Sequence, residues 1–585
     1  MESVKWRKKE LEDTGRCESL RKGLGVHALT ARLLSLRGVQ DVDVAEKFLS
    51  PSLRDLPHPT VMKGVDKACE RIASAILSNE RIVIYGDYDV DGVTSTSLLT
   101  LFFRSIGVPE ERVNFFIPNR VLHGYGLRPA CIPLVEELGC DLMITVDCGI
   151  TSVDEVRLAK ERGIETIIID HHLTPPDLPD AFAILNPHQP GCQYPDKGLA
   201  AVGVTFNLVM ALRAHLRERG YFNERPEPNL KQFLDIVALG TVADVVPVGG
   251  VNRIFVRVGL QQMKRTQWLG LDSLLRTARV NVERLAAGTL GYQLGPRINA
   301  AGRLRDAAIG VKLLTTENPS EAYRLSEELD QENRKRREIE KHIHNEARNM
   351  LQQSEKMLAE PAIVLSHEGW HPGVIGIVAS RLVEEFHRPT VVIAMEKGVG
   401  KGSARSIRGF HLHQGFTACQ AHLEQFGGHA MAAGLTIHVD EIVPFRRAFT
   451  EHARQVLTPD DLCPTLEFDA EFSPSDLSDM LLEEIEELEP YGISNPAPLL
   501  VGRKVPVVQQ KLVGAEGKHL SLRVGVSAQR SLKAIAFGQH NVYPLPHEIT
   551  LAYRPQFDYW QGKRSIQLQI KKIYPIEEIT ESPMF

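Results

Sequence analysis

Cysteine is scarce in this sequence: eight residues are spread over 585 positions, and no C-x-x-C pair occurs among them. Zinc knuckles and disulfide frameworks need closely spaced cysteines, so this spacing favours reduced thiols in a cytoplasmic protein. The sequence also lacks any run of about 18 apolar residues, which argues against a membrane-spanning helix. The opening residues MESVKWRKKE are basic, but no apolar stretch follows them, and a secretory signal is not expected.

An excess of positive charge is missing as well. The formal net charge of −6 provides no overall attraction to nucleic acid or to an anionic membrane. It excludes neither, because a local basic groove is sufficient for binding. The composition, 43% hydrophobic and 24% charged, is ordinary for a soluble globular protein. The length predicts about four domains.

Acidic residues stand where apolar runs end. The stretch RIVIYGDYDVDG places Asp87, Asp89 and Asp91 at alternating positions, which face the same way if the chain stays extended. Three carboxylates on one face repel each other unless a cation lies between them. The runs CDLMITVDCG and IETIIIDHH end in the same manner, at Asp147 and at residues 170–172. This arrangement predicts a metal site on an α/β sheet.

Apolar strands and amphipathic helices alternate from about residue 60 to residue 250. This rhythm predicts a mainly parallel sheet with helices on both faces. Ligands of such sheets gather outside the carboxyl ends of the strands, where the acids stand. The expected strands are 81–86, 112–117, 141–146 and 165–169, and the expected helices are 93–106, 129–138 and 152–162.

The rest of the chain predicts further domains. Residues 229–243 have apolar spacing near 3.6, which predicts a helix that ends just before Asp244. Residues 318–357 are highly charged and are expected to form a long exposed helix that joins two lobes. Short alternating strands from 498 to 574 predict a small barrel. The expected fold is therefore α/β with a terminal barrel, divided into an N-terminal helical segment (1–50), a parallel-sheet lobe (51–317), a connecting helix (318–358), a smaller α/β lobe (359–458) and a barrel domain (459–585).

Oxygen-rich ligand sets with one or two imidazoles suit Mn²⁺ or Mg²⁺. Two such ions about 3.5–4 Å apart clamp the attacking and leaving oxygens of a phosphoryl displacement. Asp147 is the best candidate to bridge them, because it lies alone at the end of a central strand. Any single acid here has a helix cap or a turn as its alternative role. The ordered set DYDVD, TVDCG, DHH and ADVVP favours the metal site.

The order of these motifs resembles the DHH phosphoesterase superfamily, named for the triplet found here at residues 170–172. Four further motifs strengthen this resemblance: GPRINAAGR (295–303), HPGVIGIVASRL (371–382), GSARS (402–406) and GGHAMAAGL (427–435). Together they resemble the RecJ-type single-stranded-DNA-specific 5′→3′ exonucleases over about residues 50–575. The resemblance implies a DHH catalytic lobe, a DHHA1 lobe and an OB-type barrel, in that order.

The resemblance also implies individual roles. Asp87 is expected to be a ligand or to orient its loop, and His172 to contact the scissile phosphate or transfer a proton. Many superfamily members carry a histidine where this sequence has Tyr85, and RecJ-like members also lack it, which leaves the first metal site one ligand weaker. The metal ligands carried over are Asp89, Asp91, Asp147, His171 and Asp244.

Basic residues in the later motifs suggest phosphate contacts. Ser403 and Arg405 of GSARS suit a phosphate pocket, and the resemblance implies that they hold the 5′-terminal phosphate together with Arg120. Surface ion pairs are the alternative for both arginines. Arg297 and Arg303 are candidates for contacts to backbone phosphates, and a tight loop that buttresses the sheet is the other interpretation of GPRINAAGR. For His429, we weigh a place facing the substrate channel against a packed, hydrogen-bonded one.

The barrel segment interleaves aromatic and basic residues. That pattern suits base stacking and phosphate tracking on single strands, although aromatics at alternating strand positions are more often core residues. The RKRR run at 334–337 is typical of a localisation signal, but within a charged helix it favours a solvated face, with phosphate contact as second choice. The barrel candidates are Tyr553, Arg554, Phe557, Tyr559, Trp560, Lys563, Arg564, Lys571 and Lys572.

The hypothesis from the sequence is two-metal hydrolysis of phosphodiesters at the 5′ end of single-stranded DNA, yielding mononucleotides. A phosphatase or oligonucleotidase for small substrates and a non-catalytic DNA-binding scaffold are the alternatives. The resemblance implies roles in DNA repair and recombination, with single-strand-binding protein and a helicase as partners. The resemblance also implies a preference for a 5′-phosphorylated single strand. No membrane partner is expected, and a monomer is the default.

Overall fold

The structure is a computed structural model that describes residues 4–120, 124, 126–560 and 562–575, without the side chains of residues 560 and 575. Its elements fall into an N-terminal segment, two α/β lobes joined by a long helix, and a barrel. None of the helices in these described ranges combines the length and apolar character needed to cross a membrane.

The N-terminal segment forms one strand and three helices. The strand pairs in parallel with a strand of the C-terminal module, Lys5 opposite Thr465. Leu20 and Leu34 are buried in one core with barrel residues such as Leu500. The two ends of the chain therefore fold as one unit. The elements are β1 (Lys5–Lys8), α1 (Thr14–Leu24), α2 (Ala28–Leu36) and α3 (Val42–Leu49).

The first lobe is built on a five-stranded, fully parallel sheet in the order β3-β2-β4-β5-β6. Its strands are β2 (Ile82–Gly86), β3 (Val113–Phe116), β4 (Leu142–Val146), β5 (Glu165–Ile169) and β6 (Ala183–Leu185). Its helices are α4 (Val65–Leu77), α5 (Val90–Ser105), α6 (Ile132–Glu137), α7 (Val153–Glu161), α8 (Ala201–Glu218), α9 (Leu234–Ala243), α10 (Gly250–Met263), α11 (Leu269–Thr277), α12 (Ala287–Thr289), α13 (Gly295–Leu304) and α14 (Ala308–Thr315).

Strands β2 and β4 are buried at every position, because helices cover both faces of the sheet. Ile84 and Ile144 pack on one face with α4, α5 and α8, whereas Val83 and Met143 pack on the other with α6 and α7. The strand order reverses between β2 and β4, and ligands of open parallel sheets bind at such a switch point. The predicted doubly covered parallel sheet is confirmed.

The long helix α15 (Pro319–Gln352) leads to the second lobe, followed by the short α16 (Glu355–Ala359). The expectation that α15 is exposed is wrong for one face, where Leu325, Leu329 and Ile343 are buried. The RKRR run is also only partly solvated. Arg336 is buried in an ion pair with Glu340, and Arg334 Nη2 lies 2.5 Å from Asp330 Oδ2.

The second lobe has a mixed five-stranded sheet in the order β10-β11-β9-β8-β7, in which only the β7–β8 pair is parallel. Its strands are β7 (Ile363–Glu368), β8 (Thr390–Glu396), β9 (Val399–Arg405), β10 (Gln425–Gly428) and β11 (Ala432–His438). Its helices are α17 (Ile375–Phe386), α18 (Leu412–Ala418) and α19 (Ile442–Val456).

The C-terminal module closes into a barrel, because β14 pairs with both β15 and β17. The predicted terminal barrel is confirmed. The elements are β12 (Thr465–Phe468), β13 (Ala470–Glu471), α20 (Asp479–Glu487), β14 (Leu500–Val513), β15 (His519–Gly525), β16 (Ser531–Ala536), β17 (Glu548–Trp560) and β18 (Lys563–Pro575).

Candidate metal centre and phosphate pocket

Three acids extend the parallel ladder by one residue beyond the strands that carry them. The backbone N–H of Asp87 donates to Val146 O at 3.3 Å, and that of Asp147 donates to Ile169 O at 3.0 Å. The N–H of Asp170 donates to Leu185 O in the same way, at 3.0 Å. The three carboxyl groups therefore stand side by side at one edge of the sheet.

The chain turns from strand to helix within DYDVDG, so the expectation of three aspartates on one extended face is wrong. Strand β2 ends at Gly86 and α5 begins at Val90. Asp89 caps the helix, its Oδ1 accepting the N–H of Asp91 at 2.9 Å. Asp91 lies in the first helical turn, which aims its carboxylate sideways toward α8.

Asp91 is fully buried against the N-terminus of α8. Its Oδ2 accepts the N–H of Ala201 at 2.6 Å, and its Oδ1 accepts the N–H of Val202 at 2.8 Å. Two orphan amides of a helix N-terminus favour a carboxylate. The same Oδ2 lies 3.9 Å from Nε2 of His171. Asp91 thus joins α5 to α8 and still presents one edge to the candidate metal centre.

His171 is held with Nε2 facing the acids. Its Nδ1 lies 3.1 Å from Leu199 O, which fixes the proton on Nδ1 and leaves Nε2 as the free ligand atom. That Nε2 lies 3.3 Å from Asp147 Oδ1 and 3.6 Å from Asp244 Oδ2. Asp244 comes from the end of α9, as the sequence predicted.

The donor atoms fall into overlapping groups, each with its members within 4.8 Å of one another. One group joins Asp87, Asp89 and Asp147, and a second joins Asp91, His171 and Asp244. A third group joins Asp147 to His171 and His172. Asp147 thus lies between two candidate cation sites, where a bridging carboxylate would stand.

Several buried atoms that could ligate a metal have no hydrogen-bond partner in the part of the chain that the structure describes, and this shows whether cations would fit here. Asp87 Oδ1, Asp147 Oδ1, His171 Nε2 and Asp244 Oδ2 are buried and form no hydrogen bond within the described residues. Buried polar atoms are normally satisfied, because leaving one without a partner costs free energy. Oxygen atoms with one imidazole nitrogen suit Mn²⁺ or Mg²⁺. The residues therefore fit a pair of hard divalent cations.

Burial and mutual repulsion disfavour the charged carboxylates when no cation is bound. Burial, followed by the charge of Asp89, raises the pKa of Asp91 to about 7. Burial, followed by the charge of Asp91, raises the pKa of Asp244 to about 10. The pKa of Asp147 rises well above its usual value for the same reasons. Burial lowers the pKa of His171 to about 4, which keeps its imidazole neutral and able to ligate.

Asp170 contacts several parts of the candidate site, although the sequence analysis did not select it as a site residue. Its Oδ1 accepts the N–H of His171 at 2.7 Å and lies 2.7 Å from Nδ1 of His172, while its Oδ2 accepts the N–H of Ile150 at 3.0 Å. Burial lowers the pKa of His172, but the hydrogen bond to Asp170 and the charges of Asp170, Asp89 and Asp91 together outweigh burial and raise that pKa. Its place at a strand end was the available signal.

A cavity of about 210 Å³ opens between the acids and two arginines. Arg120 lies over the ring of Tyr88, with 5.1 Å from its Cζ to the centroid. Arg303 donates its Nη1 to Gly373 O at 3.1 Å, which ties the two lobes together. The lining residues are Tyr88, Asp89, Arg120, Ala243, Asp244, Asn299, Gly302 and Arg303.

Arg120, Arg303 and Arg405 form an arginine cluster. Burial, followed by the charge of Arg120, lowers the pKa of both other side chains, and that of Arg303 falls to about 10. Among the described residues, none of the three forms an ion pair with a carboxylate, so the alternative of surface ion pairs finds no support. Mutually repelling, partly buried guanidiniums attract a phosphate.

Motif GSARS lies on β9 against the start of α17. A Cβ on Gly376 would stand 2.8 Å from Ser403 Oγ and 3.4 Å from Arg405 Nη2, so the glycine lets both side chains lie close to the helix backbone. Arg405 Nη1 lies 3.4 Å from Ser403 Oγ and donates to Ala404 O at 2.8 Å. Ser403 and Arg405 thus share one small polar recess with a glycine backbone.

Models of known protein families match three successive parts of the chain. The model described as "DHH family, N-terminal domain" matches residues 81–241, the DHHA1 domain matches 359–455, and the RecJ OB domain matches 468–572. A protein of Dickeya dadantii named single-stranded-DNA-specific exonuclease RecJ is 40% identical over 94% of this chain and 96% of its own length. The chain belongs to the RecJ family.

Other RecJ-family members are similar to this chain in sequence and in structure. The Escherichia coli protein of that name is 39% identical over 94% of this chain and 96% of its own length. A crystal structure of RecJ in complex with Mn²⁺ from Thermus thermophilus superposes with a TM-score of 0.82 at 30% identity, covering 98% of this chain and 79% of that one. The fold predicted from the sequence is thus the fold of RecJ.

GPRINAAGR is a helix in this RecJ-family chain, not the tight loop that was the alternative interpretation. Asn299 Oδ1 accepts the N–H of Val90 at 3.2 Å, and a Cβ on Gly302 would stand 2.5 Å from Tyr88 O. Helix α13 therefore braces the DYDVD turn. Arg297 donates to Asp330 Oδ1 at 2.9 Å, so its predicted phosphate contact competes with an ion pair.

Tyr85, at the position where many DHH proteins have a histidine, points away from the acids. Its hydroxyl donates to Gly126 O at 3.1 Å, and its ring stacks on Phe116. His429 is exposed in the turn between β10 and β11, and the first residue of β11, Ala432, pairs with Arg405. A place for His429 beside the arginine cluster stays a prediction.

The barrel aromatics divide into core and surface. Tyr553 and Phe557 are buried, whereas Tyr559 is 43% exposed, with Arg284 of the first lobe 4.9 Å from its ring centroid. Arg564 pairs with Glu483 at 2.6 Å. The side chain of Trp560 lies outside the described residues. Lys563, Lys571 and Lys572 are exposed, whereas Arg554 is half-buried.

Proposed function

We propose that this chain is a metal-dependent exonuclease that degrades single-stranded DNA from its 5′ end to mononucleotides. The observation that carries the proposal is the cavity that joins Asp89 and Asp244 directly to Arg120 and Arg303. A terminal phosphate held by Arg120 would place the next phosphodiester beside Arg303 and over the acids. The proposal extends to roles in DNA repair and recombination.

Asp147 would hold both cations, Mn²⁺ or Mg²⁺, with Asp87 and Asp89 on one side and Asp91, His171 and Asp244 on the other. Bound there, the cations supply charge neutralisation and an activated water for phosphodiester hydrolysis. The buried carboxylates supply the negative charge that holds them. His171 contributes through Nε2 because Leu199 O keeps its proton on the opposite nitrogen.

His172 acts on the scissile phosphate in this proposal. Asp170 holds its Nδ1 at 2.7 Å and favours the imidazolium, so Nε2–H can donate to a phosphate oxygen. The positive charge of the imidazolium would stabilise the charge that develops during displacement. Its Nε2 proton could pass to the leaving oxygen, which would leave the imidazole neutral. Asp170 is a positioning residue, because its own contacts are to the backbone and to His172.

The 5′→3′ direction of digestion follows from the arginine cluster. Arg120, Ser403 and Arg405 would hold the 5′-terminal phosphate, and a strand that ends in a hydroxyl lacks the group they bind. We assign Arg303, and by prediction Arg297 and His429, to the strand beyond it. The barrel, with Tyr559 beside Arg284, gives a surface for the single strand farther along.

Two sequence-based alternatives are less well supported. A phosphatase for small substrates gains nothing from a barrel, and a non-catalytic scaffold has no need for four unpaired buried donor atoms at one point. We further propose action as a monomer, because one chain supplies every element of the site. A helicase and single-strand-binding protein are the partner classes, and the free cysteines support a cytoplasmic location.

The test is digestion of single-stranded DNA labelled at its 3′ end, with a 5′ phosphate or a 5′ hydroxyl, in Mn²⁺ and in Mg²⁺. We expect labelled products that shorten progressively from the 5′ end, faster with the phosphate, and no attack on blunt duplex. Release of the labelled 3′ nucleotide as the first product would contradict the polarity. Strand binding without cleavage in either metal would favour the scaffold.

A further inference from the structure

Residues 487–496, called here the joint, connect α20 to the barrel and lie against the catalytic lobe. They contact the loop that follows Asp244 and the helix α10 that comes after it. The joint thus connects the module built from both chain ends to a candidate metal ligand.

A buried arginine fixes the joint to the catalytic lobe. Arg253 of α10 is 2% exposed; its Nη1 donates to Leu488 O at 3.0 Å and its Nη2 to Glu489 O at 2.8 Å. Its Nε donates to Phe48 O of the N-terminal segment at 2.6 Å. A buried guanidinium is tolerated only when its donors are used, so these carbonyls are held firmly in place.

A buried asparagine gives the joint its shape. The Nδ2 of Asn495 donates to the carbonyls of Leu488 and Pro490, both at 2.8 Å. Its Oδ1 accepts from Arg37 Nε at 2.5 Å. Since Arg37 belongs to the N-terminal segment, both ends of the chain contribute to one rigid turn.

The turn of the joint contacts the loop that follows Asp244, the candidate metal ligand. Val248 N–H donates to Ile493 O at 2.8 Å, and Pro247 and Ile493 form a parallel bridge. A Cβ on Gly492 would lie 2.5 Å from Val248 Cγ2, so the two segments are in close contact. Val245, directly after Asp244, has φ +65°, a conformation that a β-branched residue keeps only when its surroundings impose it.

We propose that the joint positions Asp244, so that cation binding depends on the docking of the N- and C-terminal modules. Gly492, Ile493 and Asn495 are positioning residues in this account, and they act through residues 245–248. The inference rests on the proposed role of Asp244 as a metal ligand. It assigns the barrel module a second task beside strand binding, which is to complete the metal centre.

The experiment measures Mn²⁺ binding by isothermal titration calorimetry on the full chain, with melting temperature as a check of folding. In Gly492→Ala the new methyl group pushes on Val248, and we expect one of two Mn²⁺ ions to bind about tenfold or more weakly. Val248→Ala in the same chain removes the opposing Cγ2 and should restore binding. Asn495→Asp, which loses the donors to Leu488 and Pro490, should weaken the same ion.

A matched control is Gly502→Ala in β14, where a Cβ would stand 2.9 Å from Val505 Cγ2 inside the barrel. It should leave both ions bound as in the wild type. Wild-type binding in both Gly492→Ala and Asn495→Asp, with one ion lost in Asp244→Asn, would overturn the positioning role alone. Two tightly bound ions in Asp244→Asn would overturn the metal-site assignment itself.

Discussion

Nε2 of His171 lies 3.3 Å from Oδ1 of Asp147, and neither atom forms a hydrogen bond among the described residues. A neutral imidazole nitrogen and a carboxylate oxygen are both electron-pair donors, so their close approach is unfavourable without a cation between them. Asp147 itself has φ +62°, a strained conformation that aims its carboxylate into the site.

Asp147→Asn should reduce the rate of single-strand digestion by about a thousandfold or more, because the bridging charge is lost while the shape is kept. The measurement is kcat on 5′-phosphorylated single-stranded DNA in Mn²⁺. The matched control is Asp180→Asn, at an exposed aspartate that pairs with Lys160. Activity within the control's range would contradict the bridging role.

Affinity for Mn²⁺ should rise with pH, because the cation must displace protons from carboxyl groups whose pKa values are raised. Asp91 and Asp244 have pKa values of about 7 and about 10 without a cation, so both titrate in the accessible range. Titration calorimetry in buffers of different ionisation enthalpy should show proton release on binding at pH 7. An affinity for Mn²⁺ that does not change between about pH 6 and about pH 9 would contradict the displacement of protons by the cation.

Stability of the metal-free protein should change in the opposite direction. A carboxyl group whose folded pKa exceeds its unfolded value holds more protons when folded, so the free energy of unfolding falls as pH rises above the unfolded value. For Asp91 that window runs from about 4 to about 7. Melting temperatures with and without Mn²⁺ should therefore diverge as pH increases, and a constant difference would count against raised pKa values.

Arg405→Gln should reduce the preference for a 5′-phosphorylated end. We expect the ratio of kcat/KM for phosphate over hydroxyl ends to fall by about tenfold or more, as for a lost charge-assisted contact of about 1.5–3 kcal/mol. Arg408→Gln is the control, because Arg408 is 89% exposed and lies three residues away. An unchanged ratio in Arg405→Gln would place the terminal phosphate elsewhere.

Asp170→Asn should lower the pKa of His172, because the bond and charge that now raise it would be weakened. NMR titration of labelled histidine Cε1–H signals in the metal-free protein would measure this change. The direction of the pKa change tests the assignment, because removing a neighbouring carboxylate charge disfavours the imidazolium and lowers the pKa. A pKa that stays raised in the variant would show that another group sets it.

Tyr559→Ala should weaken binding of single-stranded DNA by about 1–3 kcal/mol, if a base stacks on this exposed ring. Fluorescence anisotropy with a labelled strand would measure the change. Tyr323→Ala, at a 64% exposed tyrosine of α15, provides the comparison. Equal affinities for the two variants would leave Tyr559 as a partner of Arg284 only.

The parallel sheet was predictable because strands such as β4 are apolar except for one threonine and are followed directly by an acid. Periodicity likewise predicted that α9 ends before Asp244. The turn at Asp89 was not predicted, since the alternating acids suggested a strand and helix capping overrode that pattern. The docking of residues 4–49 on the barrel had no local signal, because Lys5 pairs with Thr465 across the whole chain.

Charged side chains were the least predictable part of the site. Nothing local to Arg297 indicated its ion pair with Asp330, because Asp330 lies on α15, a helix of the next segment. The contacts of Asp170 to His172 and to backbone amides likewise depend on how β5 and its neighbours meet. Sequence patterns identify which residue types stand at strand ends, and tertiary packing decides which of them point into the site.

The most direct test is the number of Mn²⁺ ions that the full chain binds, measured by isothermal titration calorimetry on wild type and Asp147→Asn. The account predicts two ions in the wild type and the loss of high-affinity binding at both sites in the variant, because one carboxylate serves both. A single ion in the wild type, or two ions retained in Asp147→Asn, would contradict the bridged pair.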